Sequence, residues 1–219
     1  MARRRSWLLV LLLAVCVAPA RARADFVRED QVPLGDLIEI VVMEDEILGV
    51  DGESGGSSVV RRRISESVLW TGVRGRVGVV ITDQRVLAIA PRTGGWQEAP
   101  YERGEAPARN AQLGDRVAVV VLRQRVLAFL GTVGRFVQER IGPQEDLRSL
   151  RVGANVAVVV TNRVALGLSP EAGGFFPIRM HVHERLEEVS ARANLATVNT
   201  SQRVLVFRAP TGTWAERRR

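Results

Sequence analysis

Aliphatic residues recur along this chain in pairs of short runs, each pair separated by a brief polar turn. The clearest example is GVVITDQRVLAIA at 78–90, and closely similar segments begin at residues 118, 157 and 196. Val, Ile, Leu and Ala fill the runs, whereas Asp, Gln, Asn and Ser occupy the turns, where they favour a tight reversal of the backbone. The pattern therefore predicts one β-hairpin repeated along the chain.

The hairpins belong to a longer repeat of about 39 residues. Each unit has a leucine in its third strand, a valine seven residues before it and a glycine seven residues after it. The columns are Leu48, Leu87, Leu127, Leu166 and Leu205; Val41, Val80, Val120, Val159 and Val198; Gly55, Gly94, Gly134, Gly173 and Gly212. Each unit is predicted to form four short strands, with its glycine at positive φ before the fourth strand.

The second strand of most units is apolar on both faces, which suits a sheet packed between two neighbours. Four strands in about 40 residues are typical of a propeller blade. We therefore predict an all-β fold, a five-bladed β-propeller built from five repeats of about 39 residues. The ring would close by packing of blade 5 against blade 1, without a shared strand. A β-solenoid or a barrel of hairpins is the alternative.

At this architectural level the chain resembles β-propeller repeat proteins over residues 25–219. It lacks the Gly-His and Trp-Asp signatures of WD repeats. The resemblance implies a fold and no particular activity.

Residues 1–24 are predicted to be a cleaved export signal. A basic start, Arg3-Arg4-Arg5, precedes an apolar stretch too short to span a bilayer and a cleavage site at Ala22-Arg23-Ala24. A twin-arginine signal and a lipoprotein site at Cys16 are the alternatives. Residues 25–219 would then form a single propeller domain in the periplasm or outside the cell. Cys16 is the only cysteine, so that domain would contain no disulfide and no thiol nucleophile.

The formal net charge of +7 overstates the basic character of this domain. Five of the 31 arginines lie in the predicted signal, which leaves 26 arginines against 24 acidic residues. This near balance gives no support to a nucleic-acid partner.

Arginines recur at the start of the predicted third strands. Guanidinium groups match carboxylates and phosphates, so these residues predict a face that binds a protein or an anionic ligand. The candidates are Arg85, Arg125, Arg163 and Arg203, with Arg163 displaced by one position relative to the others. The alternative is structural, with each arginine paired to an acid of the neighbouring blade. Blade 1 carries Glu44-Asp45-Glu46 in the same turn, which would orient a partner or help to close the ring.

Two arginine triplets occupy nearly equivalent positions in the outer strands of blades 1 and 5. A closed ring would join them into one basic seam patch able to contact a membrane surface or an envelope glycan. The alternative is that these charges keep the outer edges from pairing with other molecules. The triplets are Arg61, Arg62 and Arg63, and Arg217, Arg218 and Arg219.

Three further features are candidate sites. His181 and His183 would share one face of a strand, which makes them weak metal candidates. An aromatic column would stack on sugars or, alternatively, pack between blades: Trp96, Phe136, Phe175 and Trp214. Asp36 and Asp115 hold equivalent positions, but the other units have no carboxylate there, and a glycosidase needs a pair of them.

We therefore predict an exported, non-catalytic binding or scaffolding propeller with no cofactor, whose partner is a protein or an anionic ligand. A sugar-binding, lectin-like propeller is the first alternative, and a glycan hydrolase is the second.

Overall fold

The computed structural model of this protein describes residues 35–91 and 93–219. The predicted export signal, residues 1–24, lies outside the described residues, as does Leu34. The described chain contains nineteen strands in five antiparallel sheets, each made of consecutive strands. These sheets are the blades of an all-β, five-bladed propeller, as the repeat predicts.

Blade 1 has three strands among the described residues, and they correspond to the second, third and fourth strands of the other blades. They are β1 (Ile38–Val42), β2 (Glu46–Asp51) and β3 (Ser57–Arg61). Blade 2 comprises β4 (Val68–Arg74), β5 (Val77–Thr82), β6 (Arg85–Ile89) and β7 (Gln97–Pro100). Blade 3 comprises β8 (Gln112–Leu113), β9 (Val117–Val121), β10 (Arg125–Leu130) and β11 (Arg135–Arg140).

The remaining two blades follow the same order. Blade 4 comprises β12 (Leu147–Val152), β13 (Ala157–Thr161), β14 (Val164–Ser169) and β15 (Gly174–Arg179). Blade 5 comprises β16 (Leu186–Ala191), β17 (Leu195–Thr200), β18 (Arg203–Arg208) and β19 (Thr213–Arg218), with a 3₁₀ turn at Ala209–Thr211. The glycine before each fourth strand has a φ between 62° and 82°, which confirms the role predicted for that column.

Four hydrophobic clusters fill the spaces between consecutive blades. The second and third strands of blades 2, 3 and 4 are buried on both faces. A repeated backbone hydrogen bond also joins each blade to the next, with N···O distances from 2.7 to 3.0 Å. These bonds run from Leu37 to Gly75, Arg76 to Asp115, Arg116 to Ala154 and Asn155 to Ala193.

The two end blades each have one face that is less buried than the faces between blades. Val41 and Val59 lie on the outer face of blade 1, at 40% and 51% exposure. On blade 5 the outer face carries Thr197 and Asn199, where blades 2 to 4 carry Val or Ile. The polar outer face of blade 5 is typical of an end unit in a repeat protein, whereas the outer face of blade 1 is apolar. No hydrogen bond or ion pair within residues 35–91 and 93–219 joins blade 5 to blade 1, so ring closure by packing stays a prediction.

In the described part of the chain, no helix has the length and apolar character that crossing a membrane requires.

Candidate functional site

Arg85 forms an ion pair between blades 1 and 2. Its Nε donates to Glu66 Oε1 at 2.9 Å and its Nη2 donates to Glu66 Oε2 at 3.0 Å. Nη2 also donates to the backbone carbonyl of Arg61, in the last strand of blade 1, at 2.8 Å. Nη1 donates to Glu98, and the Thr82 hydroxyl donates to Glu66 at 2.7 Å. The guanidinium therefore holds the preceding blade, the connecting loop and its own blade together.

The pKa of Glu66 records how strongly this site favours the ionised carboxylate. Burial alone would raise the pKa. The hydrogen bonds from Arg85, the backbone N–H of Arg63 and Thr82 outweigh burial, so the pKa falls from 4.5 to about 2. Burial likewise opposes the charge on Arg85, yet the bonds to Glu66 and Glu98 raise its pKa.

Blade 5 repeats this arrangement. Arg203 Nε donates to Glu184 Oε1 at 2.9 Å, and Nη2 donates to Glu184 Oε2 at 3.1 Å and to the carbonyl of Arg179 at 2.6 Å. Its Nη1 donates to Glu216 at 2.5 Å. Burial raises the pKa of Glu184, but bonds from Arg203, the His181 backbone and Thr200 lower it to about 2.

Blade 3 forms the third such pair. Arg125 Nη2 donates to Glu105 Oε2 at 2.7 Å and to the carbonyl of Pro100 at 2.8 Å, and Nη1 donates to Gln138 at 2.7 Å. Three of the four predicted ligand-binding arginines are thus buried in interblade ion pairs with protein acceptors. Whether any of them contacts a ligand stays a prediction.

Arg163 lies on the surface, in contrast to the three buried arginines. Arg85 lies two residues before Leu87 on the same strand, and residues two apart share a face. Arg163 lies three residues before Leu166, in the turn before β14, so it does not share the buried face of the leucine. It is exposed, and its Nη2 donates to Gln144 Oε1 at 2.8 Å.

Blade 4 lacks the interblade ion pair because it departs from the repeat at two positions. Val164 stands where blades 2, 3 and 5 have the buried arginine, and Pro177 stands where they have Glu98, Gln138 or Glu216. Glu145 occupies the position of Glu66 and remains half-buried. Its carboxylate accepts one hydrogen bond, from Thr161 Oγ1 at 3.4 Å, and has no ion pair among the described residues.

A groove of about 870 Å³ opens at this point between blades 3 and 4. We call it the blade-4 groove. Its apolar floor includes Leu166, Val164 and Pro177, and charged side chains from blade 3, the hairpin turn and the following loop surround it. The lining residues are Glu139, Arg140, Glu145, Asn162, Arg163, Val164, Leu166, Pro177, Arg179, Met180, His181 and Val182.

The two arginine triplets lie at opposite ends of the blade series. In the first, Arg62 Nη1 donates to the carbonyl of Glu44 at 2.6 Å, and Arg63 pairs with Glu98 at 3.2 Å. In the second, Arg219 pairs with Glu187 at 2.5 Å, whereas Arg217 and Arg218 lie exposed on or at the end of β19. A joint seam patch stays a prediction, because no bond among the described residues links these blades.

The two histidines lie in the loop between β15 and β16, so the shared strand face expected for them is wrong. The ring of His181 bonds to Gln202 at 3.0 Å and lies 4.0 Å from Glu184. His183 is exposed. No group of three or more potential metal ligands forms within the part of the chain that the structure describes.

The aromatic column packs between blades. The indole N–H groups of Trp96 and Trp214 donate to carbonyls of the preceding blade, at Ser58 and Phe176, at 3.0 and 2.8 Å. Phe136 meets Phe129 edge-on, with ring centroids 5.2 Å apart: this pair and Phe175 belong to the clusters between blades.

The two equivalent aspartates serve the joints between blades. Asp36 Oδ1 accepts a hydrogen bond from the backbone N–H of Gly75 at 2.8 Å, and Asp115 pairs with Arg74 at 3.1 Å.

No protein-family model and no curated protein matches this chain. Similar solved structures include apo AztD from Citrobacter koseri, at 12% identity and a TM-score of 0.41, and a segment of HIRA, at 13% and 0.39. The WD40 domain of Neurospora crassa Pan2 has 12% identity and a TM-score of 0.33. The matches cover 82%, 84% and 83% of this chain but only 58%, 56% and 62% of those chains. At these TM-scores they carry no argument, and the fold assignment rests on the five sheets themselves.

Proposed function

We propose that this chain is an exported, non-catalytic β-propeller that binds another protein through the blade-4 groove. The observation that carries the proposal is the joint replacement of an ion pair by Val164 and Pro177, which leaves an apolar floor inside a charged rim. An apolar centre with a polar rim is the usual anatomy of a protein–protein interface. Export to the periplasm or the cell exterior belongs to the proposal and derives from the sequence of residues 1–24.

The placement of the perturbed carboxylates also favours binding over catalysis. Catalytic acids and bases usually combine a shifted pKa with a position in a cleft. Here Glu66 and Glu184 have lowered pKa values and serve interblade ion pairs, and neither lines the blade-4 groove. Arg163 remains available at the groove rim to meet an acidic group of the partner, which retains part of the predicted arginine site.

The test begins with recovery of partners from envelope extract on the chain expressed from its full sequence and purified after export. Each recovered partner is then purified and its rebinding measured by calorimetry. Pro177→Trp should obstruct the groove and weaken rebinding at least tenfold. Val59→Trp is the matched control, because Val59 is the equivalent position on the exposed face of blade 1. Equal affinity for the wild type and Pro177→Trp would show that the groove is not the binding site.

A further inference from the structure

The guanidinium sites of blades 2, 3 and 5 share one set of acceptors. Each combines a glutamate from the preceding loop with a backbone carbonyl at the end of the preceding blade. In blade 2 these are Glu66 and the carbonyl of Arg61, and the Thr82 hydroxyl donates a hydrogen bond to the glutamate. The same set recurs in blade 5 with Glu184, the Arg179 carbonyl and Thr200.

Blade 4 keeps this acceptor set without an arginine to fill it. Thr161 accepts bonds from the backbone N–H groups of Arg163 and Val164, at 3.1 and 3.0 Å, as Thr82 and Thr200 do in their own turns. Glu145 lies beside Thr161 and faces the groove. Arg140 ends the preceding blade at the repeat position of Arg61, so its carbonyl corresponds to the third acceptor.

We propose that the blade-4 groove binds an arginine side chain of the partner protein, whose guanidinium occupies the position that Arg85, Arg125 and Arg203 fill in the other blades. The inference rests on the proposed function for the location of the partner and adds the chemistry that is recognised. A half-buried carboxylate with a single long hydrogen bond is a strong acceptor site for a cation.

The floor of the groove suits the rest of an arginine side chain. Val164 and Pro177 provide apolar surface along which the aliphatic part of the side chain can lie. Arginine fits better than lysine, because Arg85 and Arg203 each use Nε and Nη2 together on the two oxygens of one glutamate. A lysine ammonium is a single charged centre and lacks this planar fork.

The rim defines what should flank the bound arginine. Arg140, Arg163 and Arg179 line the groove and would repel a purely basic segment. Acidic residues on either side of the recognised arginine would pair with them. The recognised segment is therefore an arginine between acidic residues, and not a polybasic stretch.

The first test fills the site from within the chain. Val164→Arg introduces the residue that blades 2, 3 and 5 carry at this position. If the acceptors are formed as described, the new arginine should pair with Glu145, raise the unfolding midpoint and abolish binding from outside. A variant that folds but is less stable than the wild type would overturn the proposal.

The second test uses synthetic peptides as probes. An acetylated and amidated Ala-Asp-Arg-Asp-Ala peptide is titrated into the ¹⁵N-labelled chain, and the shifts of the Thr161 and Val164 amides are followed. The control peptide replaces arginine with citrulline, which has nearly the same shape and no charge. We expect citrulline and the Glu145→Gln variant each to weaken binding at least tenfold.

The outcomes separate the two proposals. Equal binding of the arginine and citrulline peptides would overturn the guanidinium site, whereas loss of a partner in Pro177→Trp would still support the protein groove. Selective binding of the arginine peptide would support the site even if no recovered partner depends on Pro177. If Val164→Arg does not fold, Glu145→Gln decides the question, because the Glu145 carboxylate has one hydrogen bond, from Thr161, among the described residues.

Discussion

Replacement of Glu184 by Gln should distinguish the stability that the interblade ion pair contributes from the stability that the loop glutamates contribute in other ways. The Glu184 side chain is fully buried and accepts four hydrogen bonds. Two come from Arg203, one from the His181 backbone at 2.7 Å and one from Thr200 at 2.6 Å. In the variant, the neutral amide of Gln must place its NH₂ group against groups that are themselves hydrogen-bond donors. The buried charge of Arg203 then has Glu216 as its remaining ion-pair partner.

Two lines of reasoning give similar magnitudes for this loss. A pKa lowered from 4.5 to about 2 corresponds to about 3 kcal/mol of stabilisation of the ionised carboxylate. Removing one partner of a buried pair costs about 3–5 kcal/mol. We therefore expect Glu184→Gln to destabilise the chain by about 3–4 kcal/mol, which lowers the thermal midpoint by about 10 °C in a domain of this size.

Glu145→Gln is the matched control, because Glu145 holds the same repeat position without an arginine. It should change the free energy of unfolding by less than about 1 kcal/mol. Urea unfolding followed by tryptophan fluorescence measures both variants, since the Trp214 indole bonds to blade 4 and contributes to the signal. Equal losses in the two variants would refute the ion-pair reasoning and assign the stability to the loop turn. Adding Arg203→Met to Glu184→Gln should recover stability, because it removes the unpaired buried charge.

Three further predictions concern pH, blade spacing and the exposed end. Because the pKa of Glu184 is lowered on folding, the contribution of Glu184 to the free energy of unfolding should be complete above about pH 4.5 and lost as pH falls towards 2. Urea unfolding across this pH range measures it. Gly153→Ala should cost about 3 kcal/mol, since a Cβ there would lie 1.8 Å from a backbone carbonyl of blade 5, whereas Gly174→Ala meets nothing and should be near neutral in thermal melts. Val41→Thr should cost below about 0.5 kcal/mol and Val80→Thr about 2 kcal/mol; a large loss at Val41 would instead indicate that blade 5 covers it.

The repeat allowed the blades to be predicted because its signals are local. Hairpin turns, two-sided apolar strands and the glycine column each specify a short segment, and the structure places the glycines at positive φ as expected. The first strand of each blade has a weaker signal in the sequence. It is as short as Gln112–Leu113 in blade 3, and it has a register shift at Val68/Trp70 in blade 2.

Pairing of the arginines with acids of the neighbouring blade is the structural alternative that the sequence allows, but the glutamates that form these pairs were not identified, although the sequence contains their signal. Four glutamates recur at spacings of 39, 40 and 39 residues in segments that read as loops: Glu66, Glu105, Glu145 and Glu184. The face of each arginine was also readable, because Arg85 and Leu87 lie two positions apart on one strand. What a single sequence does not give is which loop approaches which strand, since that contact depends on how one blade packs against the next.

The departures of blades 1 and 4 from the repeat have different physical explanations. Glu46 replaces the interblade arginine in blade 1, and no bond among the described residues joins this blade to blade 5, its neighbour in a closed ring. Blade 4 has no such reason, because it is buried between blades 3 and 5, yet Val164 and Pro177 replace both the arginine and its outer-strand acceptor. Glu145 is nevertheless retained, and a half-buried carboxylate without a counter-charge is costly unless something else satisfies it. The retained acid beside two coordinated apolar substitutions is the reason to look for the missing cation on another protein.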